Sequence, residues 1–183
     1  QHYHQSRLLH RASGFTLMEL MVALAILSFL SVLAAPSYDR VIKNSRMASA
    51  TSDLVSSLAT AKAESIGRNN AISVCKRNSD ASACVTSGGW QQGWIIFIDD
   101  NNNGKLNSGE EVLYSQEAYR GNLTIYGTSA VADRVTYRAS GLTHFTTMQT
   151  FVFCDDRGYG ADARGVMVSV IGRGTSLKVA ETG

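Results

Sequence analysis

Proline is almost missing from this chain: there is one, Pro36, in 183 residues. That excludes a proline-rich linker or polyproline protein. Cysteine is scarce too, with three residues and no C-x-x-C spacing, so neither a zinc site nor a dithiol redox centre is indicated. Only 17% of residues are charged, and 17 Lys+Arg against 15 Asp+Glu leave a net +2. No basic tract stands out that could neutralise a nucleic-acid backbone. Three of the four histidines, His2, His4 and His10, fall in the first ten residues, leaving His144 as a lone imidazole. There is no G-x-S-x-G, no H-E-x-x-H, no phosphate-binding glycine loop and no dinucleotide fingerprint. Asp155-Asp156 and Glu110-Glu111 are adjacent pairs whose side chains diverge on a strand, which suits an acid/base dyad poorly. The expectation is a chain that is not an enzyme. What is present is distributed unevenly. The 44% hydrophobic content is ample for a buried core, yet the mean hydropathy of −0.05 averages one very apolar stretch with a polar remainder.

That stretch lies near the amino terminus. Residues 1–14 are polar, carry Arg7 and Arg11, and contain no acid. Phe15-Thr16-Leu17-Met18-Glu19 follows, and then a charge-free run from Leu20 to Tyr38. As a helix that run would extend about 28 Å, enough to cross the hydrocarbon of a bilayer. A secretory signal peptide has a shorter apolar region and a small-x-small cleavage site, and Ala34-Ala35-Pro36 is a poor version of one. A plain membrane anchor leaves Glu19 unexplained, because a lone carboxylate inside an apolar helix is costly in lipid and has a partner as a rule.

Gly14 followed by Phe15-Thr16-Leu17-Met18-Glu19 and a long apolar helix resembles the type III signal of type IV pilins and type II secretion pseudopilins. The resemblance implies that a membrane prepilin peptidase cuts between Gly14 and Phe15 and methylates the new terminus, leaving the apolar helix in the mature protein. It also implies that the α-amino group of one subunit pairs with Glu19 of a neighbour. In a low-dielectric bundle such a pair offsets the burial of both charges and sets axial register. The chain opens on Gln1 rather than Met, so the leader over residues 1–14 is expected to be truncated.

Beyond Pro36 a helical period resumes, with Met47, Ala50, Leu54, Leu58, Ala61 and Ser65 at three- and four-residue steps. Gly67 and Asn69-Asn70 are the expected stop. The sequence thus predicts one helix of about fifty residues, apolar over 15–38 and amphipathic over 39–70. After Asn70 the period changes to two. Short strands are expected at Ala71–Cys75, Trp94–Ile98, Glu111–Ser115, Leu123–Tyr126, Arg134–Tyr137, Thr150–Cys154, Val166–Ile171 and Ser176–Val179, separated by Gly, Asn, Asp and Ser clusters. One long helix followed by a run of strands reads as α+β, the helix packed on an antiparallel β head over 71–183.

Several head segments resemble one branch of the pilin-like proteins. Trp90-Gln91-Gln92-Gly93-Trp94-Ile95-Ile96-Phe97-Ile98-Asp99, the Asn-rich turn with Gly104 and Glu110-Glu111, Phe153-Cys154-Asp155 with Gly158, and Val168-Ser169 with Gly172-Arg173 are similar to the FimT/FimU group of minor pilins. That group is related to the H-type pseudopilin of type II secretion. The resemblance implies a minor pilin that helps prime assembly near the tip of a type IV pilus. The alternatives are an H-type pseudopilin of a type II secretion system and a DNA-binding minor pilin of a transformation pilus. The expected partners are the prepilin peptidase, other minor and major pilins or pseudopilins, and inner-membrane lipid. The expected place is a single-pass inner-membrane protein with a periplasmic head that later joins a filament.

Three features of the head remain open on sequence alone. Cys75–Cys84 would close a small loop, whereas Cys75–Cys154 would link two strands. The spacing does not choose between them, and the expectation adopted is Cys75–Cys84, with Cys154 a buried strand thiol in an oxidising compartment. The segment Asp99 to Glu110 fits the EF-hand template D-x-[DN]-x-[DN]-G-x5-E, with Asp99, Asn101, Asn103 and Glu110 as oxygen donors and Gly104 at the sharp turn. Its flanks read as strands rather than helices, so an Asn/Gly-rich hairpin loop is expected, with calcium the alternative and no cofactor required. Arg173 sits in Ile171-Gly172-Arg173-Gly174-Thr175, where some competence-associated FimT proteins carry a Gly-Arg-x-Arg motif implicated in DNA binding. The second arginine is missing, and from Phe151 onward four basic residues face four acids. DNA is therefore not the expected partner.

The small positive charge belongs to the leader. Loss of Arg7 and Arg11 with residues 1–14 leaves a neutral chain, in keeping with positive residues staying on the inner side of a membrane. The remainder is polarised: residues 40–77 carry seven Lys/Arg against two acids, and residues 80–117 one Lys against six acids. Opposite-signed segments of that kind suit docking with related subunits.

Overall fold

A computed structural model describes residues 14–160 and 162–178, the side chains of 32–37 apart. Apart from Gly14, the expected leader lies outside the described residues, as does the end of the last expected strand at Val179. One helix, α1 (Leu17–Arg68), is followed by eight strands: β1 (Ile72–Lys76), β2 (Trp94–Ile98), β3 (Val112–Gln116), β4 (Thr124–Gly127), β5 (Arg134–Tyr137), β6 (Gln149–Cys154), β7 (Arg164–Val168) and β8 (Gly174–Lys178). Short 3-10 turns occupy Trp90–Gln92 and Ser129–Val131. The chain divides into two compact units at the Ile42/Lys43 boundary, so α1 contributes residues to both.

The first unit holds the apolar part of α1. Leu20, Met21, Val22, Leu24, Ile26, Leu27, Phe29 and Leu30 are each more than half exposed, so this segment has apolar residues around its whole circumference. Ser28 and Ser31 return their hydroxyls to the carbonyls of Leu24 and Leu27, at 2.8 and 2.7 Å, which leaves neither donor unsatisfied in an apolar solvent. Among the described residues no helical stretch is long and apolar enough to cross a membrane. The expected span also takes in residues 32–37, whose side chains lie outside the description.

The second unit is the head, and its core explains why α1 stays helical there. Met47, Ala50, Leu54, Leu58 and Ala61 are completely buried on one stripe of α1, with Ser65 below them. They pack on two antiparallel sheets, of order β3-β2-β1-β5 and β4-β6-β7-β8. Sheet one contributes Ile72, Val74, Trp94, Ile96, Val135 and Tyr137 to this core, and sheet two Ile125, Phe151, Phe153, Val166 and Val168. The two indoles each find a polar partner, as burial requires. Trp90 Nε1 donates to the carbonyls of Val131 and Ala132, both at 3.0 Å, and Trp94 Nε1 donates to Ser57 Oγ on α1 at 3.0 Å. Trp90 also meets Phe151 edge-on, with ring centroids 5.1 Å apart, tying the turn before β2 to sheet two.

The helix runs through Gly67 to Arg68 and stops at Asn69, within the expected Gly67 to Asn70 segment. Asn69 adopts a left-handed conformation (φ 51°), and the amide of Asn70 returns to the carbonyl of Ser65, the pairing of a Schellman cap. The expected strand Val166–Ile171 needs correction. β7 ends at Val168, and Ser169–Arg173 form a turn closed by Ser169 N to Arg173 O at 3.0 Å. Gly172 is at φ +77° over the Tyr137 ring, where a Cβ would come within 2.6 Å of that ring. Chain reversal there wins over the apolar run, and Ile171 is left 59% exposed.

Sheet one has a second, smaller core on its other face. Cys75, Ile95 and Phe97 are buried beneath Ala81, Cys84 and Leu106, so the loops after β1 and after β2 fold over this face as a cover.

Candidate functional site

The amino-terminal site begins with a helix cap. Thr16 Oγ1 accepts from the amide of Glu19 at 3.2 Å, and the Thr16 carbonyl accepts from Leu20 N at 3.1 Å. Thr16 is therefore the N-cap and Glu19 the third helical residue, the spacing of a capping box. A carboxylate in the first turn is also favoured by the positive end of the helix dipole. The sequence reading missed Thr16, although the T-x-x-E pattern in front of an apolar run announces it. Gly14, Phe15 and Glu19 are all exposed, and among the described residues the Glu19 carboxylate has no partner within its own chain. The residues expected to be processed and to pair thus lie together at the start of the helix, all open to solvent.

In the head, Cys75 and Cys84 form a disulfide with their Cα atoms 5.6 Å apart. It closes the loop over the outer face of sheet one, where the amide of Leu106 also donates to Cys84 Sγ at 3.3 Å. Cys154 is free, and here the expectation of a buried thiol is corrected: it is only partly buried, at the end of β6 where the strand gives way to a surface loop. Such burial as it has, with the nearby Asp155 charge, pushes its thiol above the usual range.

Each of the calcium-template side chains has an oxygen bonded to an amide of its own loop. Asp99, fully buried at the end of β2, accepts from the amides of Asn103 (2.9 Å) and Gly104 (2.8 Å) and from Ser73 Oγ (2.6 Å). Ser73 Oγ in turn shares a 2.6 Å bond with Thr136 Oγ1. Asn101 Oδ1 accepts from Asn103 N, Asn103 Oδ1 from Lys105 N, and Glu110 Oε2 from Asn107 N. Glu110 Oε1 is buried without a hydrogen-bond partner. Among the described residues no group of three or more His, Cys, Asp or Glu is placed to hold a metal ion. The loop joins β2 to β3, two strands, in a backbone form that needs Gly104 at φ +70°.

Arg173 lies exposed on the β7–β8 turn, its amide donating to Ser169 Oγ at 3.2 Å. His144 is half-buried. Its Nδ1 accepts from Thr136 N at 3.1 Å, so its Nε2 carries the hydrogen that reaches the Ala130 carbonyl at 3.2 Å. Desolvation holds its pKa below the ordinary imidazole value, with Arg134 and Arg138 adding to the effect. Asp155 is clamped by Arg157 through bonds of 3.0 and 2.5 Å, and this hydrogen bonding lowers its pKa. The structure brings no nucleophile, base and orienting group together among these residues.

A capped, exposed apolar helix bearing one carboxylate and a two-sheet head are the features with which known proteins can be compared. A sequence model of the type II transport protein GspH matches residues 50–173. The chain belongs to the GspH family. A model of the prokaryotic N-terminal methylation motif matches residues 9–35 of this GspH-family chain, a stretch that contains Gly14, Phe15 and Glu19. Two crystal structures of the type IV minor pilin FimU from Pseudomonas aeruginosa (strain PAO1) are similar to it. One has 26% identity and a TM-score of 0.55, covering 74% of this chain and 90% of FimU. The other has 25% identity and a TM-score of 0.53, with coverages of 70% and 90%. No curated protein sequence matches. Family and fold are those of structural filament subunits.

Proposed function

We propose that the chain is a minor pilin of a type IV pilus, acting as a structural subunit rather than a catalyst. The observation that carries the reading is the methylation motif over residues 9–35, joined to a helix whose apolar residues are exposed all round and to a FimU-like head. Hydrolysis of the Gly14–Phe15 peptide bond would remove the leader, and methylation of the Phe15 amine leaves it basic. The apolar part of α1 then holds the subunit in the inner membrane with the head outside the cytoplasm, until it is extracted into the filament near the tip.

Glu19 does the chemistry of assembly. An isolated carboxylate in hydrocarbon costs several kcal/mol. Pairing it with a neighbour's amine at about 4 Å returns about 4 kcal/mol at an effective dielectric near 20. The pair can form at one axial offset only, so the same contact that relieves the burial cost selects register. Thr16 supports this by fixing the first turn from which Glu19 projects.

A second reading, an H-type pseudopilin of a type II secretion system, is supported by the family match over residues 50–173. One experiment tests both. In a strain lacking the chain, pilus number should fall and be restored by the wild-type gene. Filaments sheared from the complemented strain should contain the chain starting at methylated Phe15. Unchanged piliation with loss of a secreted enzyme would move the assignment to secretion.

A further inference from the structure

The head carries a groove of about 540 Å³ that the disulfide, the Asn-rich loop and the amino-terminal site do not involve. It runs between α1, the loop before β4 and the loop after β6, with Met47 and Leu123 among its apolar lining. Its acids are already satisfied: Asp156 pairs with Lys43 at 2.8 Å, Asp155 with Arg157, and Asp53 accepts the Tyr119 hydroxyl at 2.8 Å. Its two arginines are not. Arg46 and Arg120 are exposed on the groove wall, and among the described residues neither has an acid within 4 Å. Arg46 lies over the backbone of Gly121, its Nη1 3.3 Å from where a Cβ would stand. The groove therefore presents two guanidinium forks above an apolar floor, and such forks bind carboxylates in bidentate fashion.

The other end of the head has the complementary character. The loop from Asp99 to Glu111 starts where β2 meets the end of α1, since Ile98 pairs with Ile72 and Asn70 reaches Asp100 at 2.7 Å. That is some 20 residues further along α1 than the groove, or about 30 Å of helix. The loop exposes Asp100 and Glu111 beside Lys105, with Arg68 touching Glu111 only at 3.8 Å. A groove with two unpaired arginines at one end and a loop with exposed carboxylates at the other can meet as a heterologous contact, the kind that propagates into an open filament instead of closing a dimer.

We propose that the groove rimmed by Arg46 and Arg120 receives a carboxylate-bearing loop of an adjoining pilin-fold subunit. The inference rests on the filament-subunit reading and adds to it where, and by what chemistry, the next head docks. To test it, a photo-crosslinking residue replaces Asn122 in the full chain, in cells that assemble the filament, and the attached peptide is mapped by mass spectrometry. The expected adduct is an acidic loop of another pilin-fold subunit, with its yield cut at least tenfold by Arg46→Glu with Arg120→Glu and largely kept by Arg46→Lys with Arg120→Lys. If the chain enters filaments but the adduct is lipid or a peptide without acids, or if charge reversal leaves the yield unchanged, the groove assignment falls alone. A chain never found in filaments overturns both readings.

Discussion

The two units of this chain use the same amino acids in opposite ways. From Leu17 to Leu30 large apolar side chains stand exposed on every side of α1, whereas from Met47 to Ala61 those on α1's stripe are completely buried against two sheets. The second segment is finished as a folded object and the first is not. At about 25 cal/mol per Å² of apolar surface, an uncovered helix of this kind demands lipid or other helices around it. Stability therefore resides in the head, while the amino-terminal segment is left to be covered by lipid or by other helices. Changes to either should fail in different ways.

The largest expected effect lies at the processing site. Gly14→Ala should leave a longer, unprocessed species on a gel, with filament incorporation lost altogether while the head keeps its thermal midpoint. Glu19→Val should be processed and inserted into the membrane as well as wild type or better, yet reduce filament incorporation at least tenfold, read by immunoblot of sheared pili. A Glu19→Val chain that still assembles would end the role given to this carboxylate.

In the head the failures should be thermodynamic. Trp94→Ala empties a fully buried site and strands Ser57, and should cost about 3–5 kcal/mol in a denaturant titration. Processing of the Trp94→Ala chain should be unaffected wherever the protein survives proteolysis. Replacing Cys75 and Cys84 together by serine should cost less, about 2–3 kcal/mol for so short a closed loop. That loss should be accompanied by faster amide exchange in both covering loops, because Leu106 packs and hydrogen-bonds against Cys84.

Much of this contrast is written in the sequence. The steps Met47, Ala50, Leu54, Leu58, Ala61 and Ser65 mark the buried stripe residue for residue, because a helix packed on a sheet has one period to obey. Strand positions were legible to within two residues where turns punctuate them, except at β7, where apolar Val170 and Ile171 continue past the reversal. The division into two four-stranded sheets was not legible. Pairings such as β1 with β5 and β4 with β6 join segments that are far apart in the chain, and nothing local encodes them. The processing residues follow from a motif, but the meaning of Asp99 does not. Its spacing advertises a cation, and only the fold shows both its oxygens turned toward Ser73 and the loop amides.

A smaller effect should separate the head from the amino-terminal segment by pH. His144 is half-buried in the head, with its folded pKa below the ordinary value of the unfolded chain. The unfolded state then binds more protons, so the His144 contribution is complete above about pH 6.5 and is lost as pH falls through the folded value. Protonation must also break the bond from Thr136 N to Nδ1. Head stability should decline between pH 7 and 5 by less than the disulfide contributes, and His144→Gln should flatten that slope. A slope that persists in His144→Gln would assign it to other groups.

The smallest expected effect is that of calcium. A site with a dissociation constant of about 0.1 mM would stabilise the head by about 1.4 kcal/mol at 1 mM ion, raising the thermal midpoint by several degrees. To bind here, calcium would have to pull Asp99 away from two amides and a hydroxyl in a fully buried position, and Asn103 and Glu110 away from the amides of Lys105 and Asn107. The midpoint in 1 mM calcium should therefore match the midpoint in EDTA to within about a degree. A rise of several degrees that disappears in Glu110→Gln would show that the buried, unpartnered Oε1 is a ligand, and the head would then depend on an ion as the amino-terminal segment depends on its neighbours.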